Sequence, residues 1–312
     1  MVTQKELADE LKISVATVSL ALSGSPLVNK ETAKQILELA KTRGYRRNNL
    51  GRALKEGHNR IIGCVLNALV NSFFSEVIEG IGQTCSARGY GFMVSLGEDS
   101  PEQYVEQMLD NRVAGVIFAG YADSFREAAE YLKNAGINSF FCSTHNAVNF
   151  PHVVTDDALG GRMGLEYLYR CGHRNFLVED YYSIRVEAAM VFLKQHPDCT
   201  ASFFTSPQEA LGLFKEKHAT AAVCFADENA VRVMGIFRSA GIRIPEDISV
   251  IGYDNIHLCD FPGIELTTIA QQRENIGVKC AEMAIAHAEN IPYPNCVMLE
   301  PHLVERKTVK KF

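Results

Sequence analysis

The sequence predicts a small all-α headpiece followed by an α/β core of two doubly wound lobes. Three observations carry this reading. Two short capped helical patterns open the chain between Thr3 and Gly24, a β-α-β-α rhythm begins at Arg60, and an irregular break near 145–157 divides that rhythm into halves.

The first stretch reads TQKELADELKISVATVSLALSG. Thr3 and Glu6 have capping-box spacing, and Leu7, Ala8 and Leu11 share one helical face. Lys12 and Ile13 interrupt the pattern, and Ser14 supplies a second N-cap. In the second helix Val18, Ala21 and Leu22 form the inward stripe, Val15, Ala16, Ser19 and Leu20 face outward, and Gly24 can end the helix in the left-handed conformation. This is the layout of a helix-turn-helix, whose second helix suits a DNA major groove; two helices of an ordinary helical subdomain would look the same. A third helix follows Asn29, with Ala33, Ile36, Leu37 and Ala40 inward, and Gly44 and Tyr45 close the headpiece, taken as 1–46.

Residues 46–60, RRNNLGRALKEGHNR, are polar and basic, with a weak helical pattern over Asn49–Lys55 interrupted by Gly51. So short a helix is marginal alone, and the glycine costs it about 1 kcal/mol relative to alanine. Two readings of 47–59 stand: a plain linker, or a hinge that folds on DNA with Leu54 as a minor-groove wedge and Arg52 and Lys55 near phosphates.

The core occupies 60–312. Buried strands are expected at 61–67, 90–96, 114–120 and 137–143, separated by helices at 73–89, 101–112 and 123–136. After HNAVNFPH the rhythm resumes with helices near 158–172, 183–196, 207–218 and 228–241, and strands at 173–180, 200–205, 220–227 and 248–254. Two such units imply a ligand crevice between lobes, at the C-terminal ends of their strands.

Composition restricts function. With 312 residues, 47% hydrophobic and 22% charged, the chain is an ordinary globular protein. It has no apolar run near the roughly 18 residues of a membrane span. Glu6, Asp9 and Glu10 in the first helix argue against a signal peptide, so a cytoplasmic protein, at the nucleoid, is expected. Nine cysteines are scattered singly without C-x-x-C or zinc-ligand spacing, which reads as buried free thiols in a reducing compartment; no metal or cofactor is expected. The net charge of −6 divides unevenly, with +5 on residues 1–60 and −11 on the remainder. A basic head on an acidic body directs phosphates to one end. The nine histidines, among them His145, His152, His173, His196 and His218, lie outside any H-E-x-x-H, and the chain has no G-x-S-x-G, Walker loop or G-x-G-x-x-G after a strand, so an enzyme is not expected.

Read together, T-x-x-E-L-A…S-V-A-T-V-S…L-S-G, R-G-Y-R-R-N, I-G-C-V-L-N…F-F-S-E, G-H-R at 172–174, I-P-E-D-I-S-V-I-G-Y-D at 244–254 and L-T-T-I at 266–269 closely resemble the LacI/GalR family of bacterial transcriptional regulators. The resemblance runs in order along nearly the whole chain. It implies a periplasmic-binding-protein-like core that pairs into a homodimer and reads a near-palindromic double-stranded operator. It also implies that the chain crosses between lobes more than once, giving lobe 1 as about 60–156 plus 270–292 and lobe 2 as about 157–269 plus 293–312, with the helix at 273–290 in the first lobe and VMLEPHLVERKTV in the second.

By the same resemblance, Val15, Ala16 and Leu20 occupy base-reading positions. Most members place an arginine where Leu20 stands; leucine can offer only apolar contact, for which the thymine methyl is the natural partner, so A·T is favoured there. Thr3, Ser14, Thr17, Ser19 and Asn29 match phosphate-contacting positions, while capping and turn chemistry is their other role. Asn48 and Leu54 match the hinge asparagine and minor-groove leucine, and Arg47 replaces the usual proline.

In the core, Phe73 and Phe74 match the mouth of the ligand cleft, Arg185 the arginine that holds a sugar or carboxylate, Asp254 the acid opposite it, and Asp227 the acid of an Asn-Asp pair whose first member is here Ala226. Core packing for the phenylalanines and a surface salt bridge for Arg185 are the plain alternatives. The segment 172–220 is short for the family, and EDYYS replaces its glycine-rich loop, so Tyr181 and Tyr182 are expected to narrow or fill the cleft. The function implied is a repressor controlled by a small molecule, a sugar or sugar derivative, between the lobes. The alternative is a DNA-binding regulator whose core is a protein-docking or dimerisation platform without an effector. No leucine heptad follows Val309, so a dimer is expected rather than a tetramer.

Overall fold

The structure is a computed structural model that describes residues 2–45, 58–66, 72–97, 101–120, 122–145, 147, 149–181 and 183–312. The chain forms two compact units, Met1–Asn59 and Arg60–Phe312.

The first unit packs three helices. Helix α1 (Gln4–Leu11) starts at a complete capping box: the Glu6 amide donates to Thr3 Oγ1 at 3.2 Å, and the Thr3 amide donates to Glu6 Oε2 at 2.7 Å. It stops at Lys12, whose φ of 54° is left-handed. Ser14 caps α2 (Val15–Leu22) by accepting the Thr17 amide at 3.0 Å, and Asn29 caps α3 (Lys30–Thr42) through the Glu31 amide at 2.9 Å. Leu7, Ala8, Val18, Ala21, Ile36 and Ala40 form the small core. Leu37, expected inside, is 51% exposed, and Leu39 packs against the core instead. Three helices this short enclose a narrow seam, so a residue at the edge of the stripe falls outside it.

In the second unit, the first sheet runs β11-β5-β4-β3-β1-β2, all parallel: β1 (Ile61–Leu66), β2 (Gly91–Leu96), β3 (Gly115–Ala119), β4 (Ser139–Cys142), β5 (His152–Thr155) and β11 (Cys296–Leu299). Helices α4 (Phe73–Ala87), α5 (Pro101–Asp110), α6 (Ala122–Asn134) and α11 (Arg273–Ala288) belong to this lobe. The second sheet runs β12-β10-β9-β8-β6-β7. It consists of β6 (Asn175–Glu179), β7 (Thr200–Phe204), β8 (Ala221–Val223), β9 (Ser249–Asp254) and β10 (Thr267–Ala270), with β12 (His302–Val304) antiparallel at its edge. Helices α7 (Asp157–Arg170), α8 (Ser183–Gln195), α9 (Pro207–Lys217) and α10 (Asp227–Ser239) cover it. Each sheet has a separate hydrophobic cluster on each face, as a parallel sheet requires.

The chain passes between lobes at Asp156, at Gln271–Gln272 and at Glu300–Pro301. Two expectations are corrected. The irregular stretch contains the start of strand β5, whose alternation is too short to register as a pattern. Residues 296–299, assigned by the sequence to the second lobe, pair with β5 in the first, register Val297 to Val153, so the last crossing comes at Glu300 rather than near 293.

Helices α4 and α11 meet backbone to backbone. A Cβ on Gly277 would collide with the Val77 carbonyl, and one on Gly80 with the Glu274 carbonyl, so both glycines are required by the approach. Eight of the nine cysteines are buried free thiols, while Cys296, expected buried like the rest, is exposed on edge strand β11. No helix among the described residues is long and apolar enough to cross a membrane.

Candidate functional site

The headpiece presents one candidate surface. Val15, Ala16, Ser19 and Leu20 are all exposed on α2, Val15 at 43% and Leu20 at 38%, while Val18 and Ala21 on the opposite face are buried. A leucine and a valine outward on a short helix are not explained by the core of this unit. Thr17 is partly buried and shares a 2.8 Å hydroxyl contact with Ser14, so both are engaged in the cap. Thr3 and Asn29 serve as caps of α1 and α3, exposed at the helix starts. Asn48, Arg52 and Leu54 lie outside the described residues. Residues 2–45 carry six Lys/Arg against five Asp/Glu, so most of the basic excess belongs to the segment 46–60.

The second candidate surface lies between the two lobes of the core. At the start of α7, Asp157 is the centre of a charged cluster. Its Oδ1 accepts from Arg185 Nε at 3.1 Å and Nη2 at 2.9 Å and from the Tyr253 hydroxyl at 2.8 Å; its Oδ2 lies 3.1 Å from His145 Nε2. Burial alone would raise the Asp157 pKa, but Arg185, His145 and Tyr253 together hold it below the ordinary value. Arg185 is 5% exposed, not a surface residue; it also donates to the Phe225 carbonyl and lies 3.6 Å from the Tyr253 ring centroid. The small residues of DALGGRMG make this possible, because a Cβ on Gly160 would strike the Tyr253 ring and one on Gly161 the backbone of Arg185.

The other acids divide by role. Glu179, from EDYYS, accepts the Phe225 amide at 2.6 Å and the Asn229 side chain at 2.6 Å, and burial keeps its pKa raised. It thereby serves the start of α10, where Ala226 offers no side-chain cap. Asp227 is fully buried with both oxygens engaged, Oδ1 by the Thr268 hydroxyl at 2.6 Å and Oδ2 by the Ile256 amide at 2.9 Å. It ties β10 to the loop after β9 and does not face the cleft; burial lifts its pKa to about 6. Asp254 is only partly buried by exposure, sits at a φ of 114°, and accepts Gln271 Nε2 at 2.6 Å. Desolvation, reinforced by Asp227 and Asp157 and opposed by Arg185, raises its pKa to about 8. Gln271 in turn accepts the Thr155 hydroxyl at 2.5 Å, so Asp254 is linked to the first lobe.

Phe73 is 6% exposed and belongs to the core of the first lobe, where α4 needs an apolar anchor. Phe74 is partly exposed, with its ring 5.1 Å from that of Phe73 in an edge-on pair. Tyr181 is 59% exposed and so does not fill the cleft; Tyr182 lies outside the described residues. Of the sequence-predicted core residues, Asp254 and Phe74 are therefore partly exposed, while Arg185, Phe73 and Asp227 are buried. Sequence reasoning missed Asp157, His145, Tyr253 and Gln271, which come from separate elements; the glycine pair after Asp157 was the available signal.

Residues 129–309 match the family model described as a periplasmic binding protein-like domain. The chain belongs to that family, as a regulator of the LacI/GalR type. Among curated relatives of this periplasmic binding protein-like chain, the HTH-type transcriptional repressor PurR of Histophilus somni (strain 129Pt) is 26% identical over 339 residues, covering 99% of each chain. PurR of Vibrio vulnificus (strain CMCP6) is 27% identical over 337 residues, covering 100% of each. Among solved structures, the lac repressor dimer bound to operator and the anti-inducer ONPF aligns at a TM-score of 0.79 with 22% identity over 99% of each chain. A CelR–cellobiose complex aligns at 0.70 with 20% identity over 99% and 100%.

Proposed function

We propose that this protein is a DNA-binding transcriptional repressor. It acts as a homodimer on a near-palindromic operator, and a small polar molecule bound between the core lobes sets its DNA affinity. The observation that carries the reading is the outward apolar and hydroxyl face of α2, Val15, Ala16, Ser19 and Leu20, on a compact unit of its own. Helices α1 and α2 form the helix-turn-helix, with α2 as the major-groove helix, residues 47–59 the hinge and 60–312 the effector and dimerisation core. Thr3, Ser14, Thr17, Ser19 and Asn29 meet phosphates while keeping their capping bonds, and Val15, Ala16 and Leu20 read base edges. Hinge residues Asn48, Arg52 and Leu54 enter or flank the minor groove. Names of relatives and of structural neighbours, repressors and an operator complex among them, support this assignment.

Effector control follows from linkage: a ligand that changes operator affinity must distinguish two arrangements of the core. The test is electrophoretic retardation of a palindromic fragment from beside the protein's own gene. Deleting residues 1–59 should abolish the shift while leaving a folded, paired core, and log affinity should fall linearly with log salt for the intact chain. Retardation by the truncated chain refutes the proposal.

A second reading, a docking or dimerisation platform without an effector, is favoured by one observation. The fork of Arg185 is already engaged by Asp157, so the cleft does not offer that guanidinium to an anion. The two readings separate by whether any small molecule raises the melting temperature of the core through mass action.

A further inference from the structure

One carboxylate stands between two guanidiniums at the place where the core begins. Arg60, the first residue of the second unit, leads directly into β1. Glu289 follows the last turn of α11, and its Oε1 lies 3.4 Å from Arg60 Nη2 while its Oε2 lies 2.8 Å from Nη2 of Arg88, the residue that ends α4. The Arg60 guanidinium also sits 4.8 Å from the centroid of the buried Tyr90 ring, and the Arg60 carbonyl accepts the Gly91 amide at 2.7 Å. Through Arg60 and Glu289, the starts of β1 and β2 and the ends of α4 and α11 are joined at the N-terminal end of the first sheet's strands.

Local rules do not favour a glutamate here. The C-terminal end of a helix is the negative pole of its dipole, so a carboxylate there is unfavourable unless cations offset it. The Arg60 and Glu289 side chains are 26% and 23% exposed, and this contact is screened less than an open surface pair. Removing the Glu289 charge would leave Arg60 beside Arg88, two like charges without a counter-ion. Glu289 is also held on a rigid support, because α4 and α11 meet backbone to backbone at Gly80 and Gly277.

What Arg60 marks is the point where the chain arriving from the headpiece enters the core. A dimer reading two half-sites gains affinity because the second headpiece binds as a tethered group, and that gain depends on where each tether starts. A tether that frays at its start must be ordered again on binding, once in each protomer. We propose that Glu289 is a positioning residue for operator binding: through Arg60 it fixes where the headpiece-bearing chain leaves the core, and thereby how sharply the dimer discriminates the spacing between half-sites. This rests on the DNA-binding reading above.

The test uses the full chain and four fragments: the palindromic fragment that the wild-type chain retards, the same fragment with one or two base pairs inserted at its centre, and a single half-site. Glu289→Gln and Arg60→Met should each weaken binding to the palindrome by roughly 4- to 16-fold, the square of a two- to fourfold loss per protomer that a partly screened ion pair supplies. Affinity for the single half-site, which engages one headpiece and needs no held spacing, should stay within about twofold of wild type. One inserted base pair turns the half-sites by about 35° relative to each other and should cost the variants less than it costs the wild type. Arg60→Lys keeps a charge beside Glu289, should fall between wild type and Arg60→Met, and serves if either other variant does not fold. Melting temperatures are measured alongside. Palindrome and half-site binding lost in equal proportion, together with a lowered Tm, would make the cluster merely structural and overturn the inference. An unchanged spacing profile in Glu289→Gln and Arg60→Met overturns it as well, and leaves the DNA-binding reading intact. If the wild-type chain retards no palindromic fragment, the DNA-binding reading falls and takes this inference with it.

Discussion

Replacing Asp157 with asparagine would leave the Arg185 guanidinium, with 6% of its side-chain surface exposed, without its counter-charge. Both partners lie well below a third exposed, so solvent screening offers little relief, and breaking such a pair costs about 3–5 kcal/mol. Asparagine can still accept from Tyr253 and Arg185 through its carbonyl oxygen, which places the expected loss near the low end, about 3 kcal/mol. For a core of this size that corresponds to roughly 6–12 °C in Tm. Urea unfolding of the core followed by circular dichroism reads it directly, and Arg185→Met with the double variant completes the cycle. The double variant should be less destabilised than the sum of the two, by about 1–3 kcal/mol. A loss below about 1 kcal/mol for Asp157→Asn, or strict additivity, would put this pair with ordinary surface ion pairs and refute the reasoning. The same substitution frees Arg185 for ligands, so carboxylate-bearing compounds should begin to stabilise the variant.

The raised Asp227 and Asp254 pKa values, about 6 and about 8, mean that the folded core holds more protons than the unfolded chain above the ordinary aspartate value of 3.8. Their contribution is full below that value and is lost as pH rises toward 8; Tm should fall over this range, and Asp254→Asn should flatten the decline, as a pH series of melting scans would show. Gly277→Ala places a methyl against the Val77 carbonyl and should destabilise the core by about 1–3 kcal/mol, measured by urea midpoint. Leu20→Arg should shift operator preference at the facing base pair from A·T toward G·C in a randomised-site selection, and an unchanged preference would remove Leu20 from the base-reading set.

Much of the site was legible for local reasons. Caps are set by residues three apart, so Thr3, Ser14 and Asn29 could be read directly, and with them the exposed face of α2. Arg185 and Asp254 could be singled out only through resemblance, since nothing local marks either one. Phe73 and Asp227 were misplaced because residue type does not say which way a helix N-terminus turns its first side chains. Here α4 sends Phe73 into the core, while Asp227 at the start of α10 is spent on Thr268 and the Ile256 amide. Asp157, from a dipeptide that sequence reasoning passed over, gains its meaning from Arg185, His145 and Tyr253, which stand 28, 12 and 96 residues away.

Periodicity and capping, both confined to a few turns of chain, were enough for the sequence alone to determine the helical headpiece, the alternating core and the separation of charge between them. Tertiary structure decided which lobe owns residues 296–299, which acid neutralises Arg185, and that Glu289 meets Arg60 from 229 residues away. Strand pairing and ion pairing depend on distances between segments far apart in the chain, and those distances exist only once the sheets have formed.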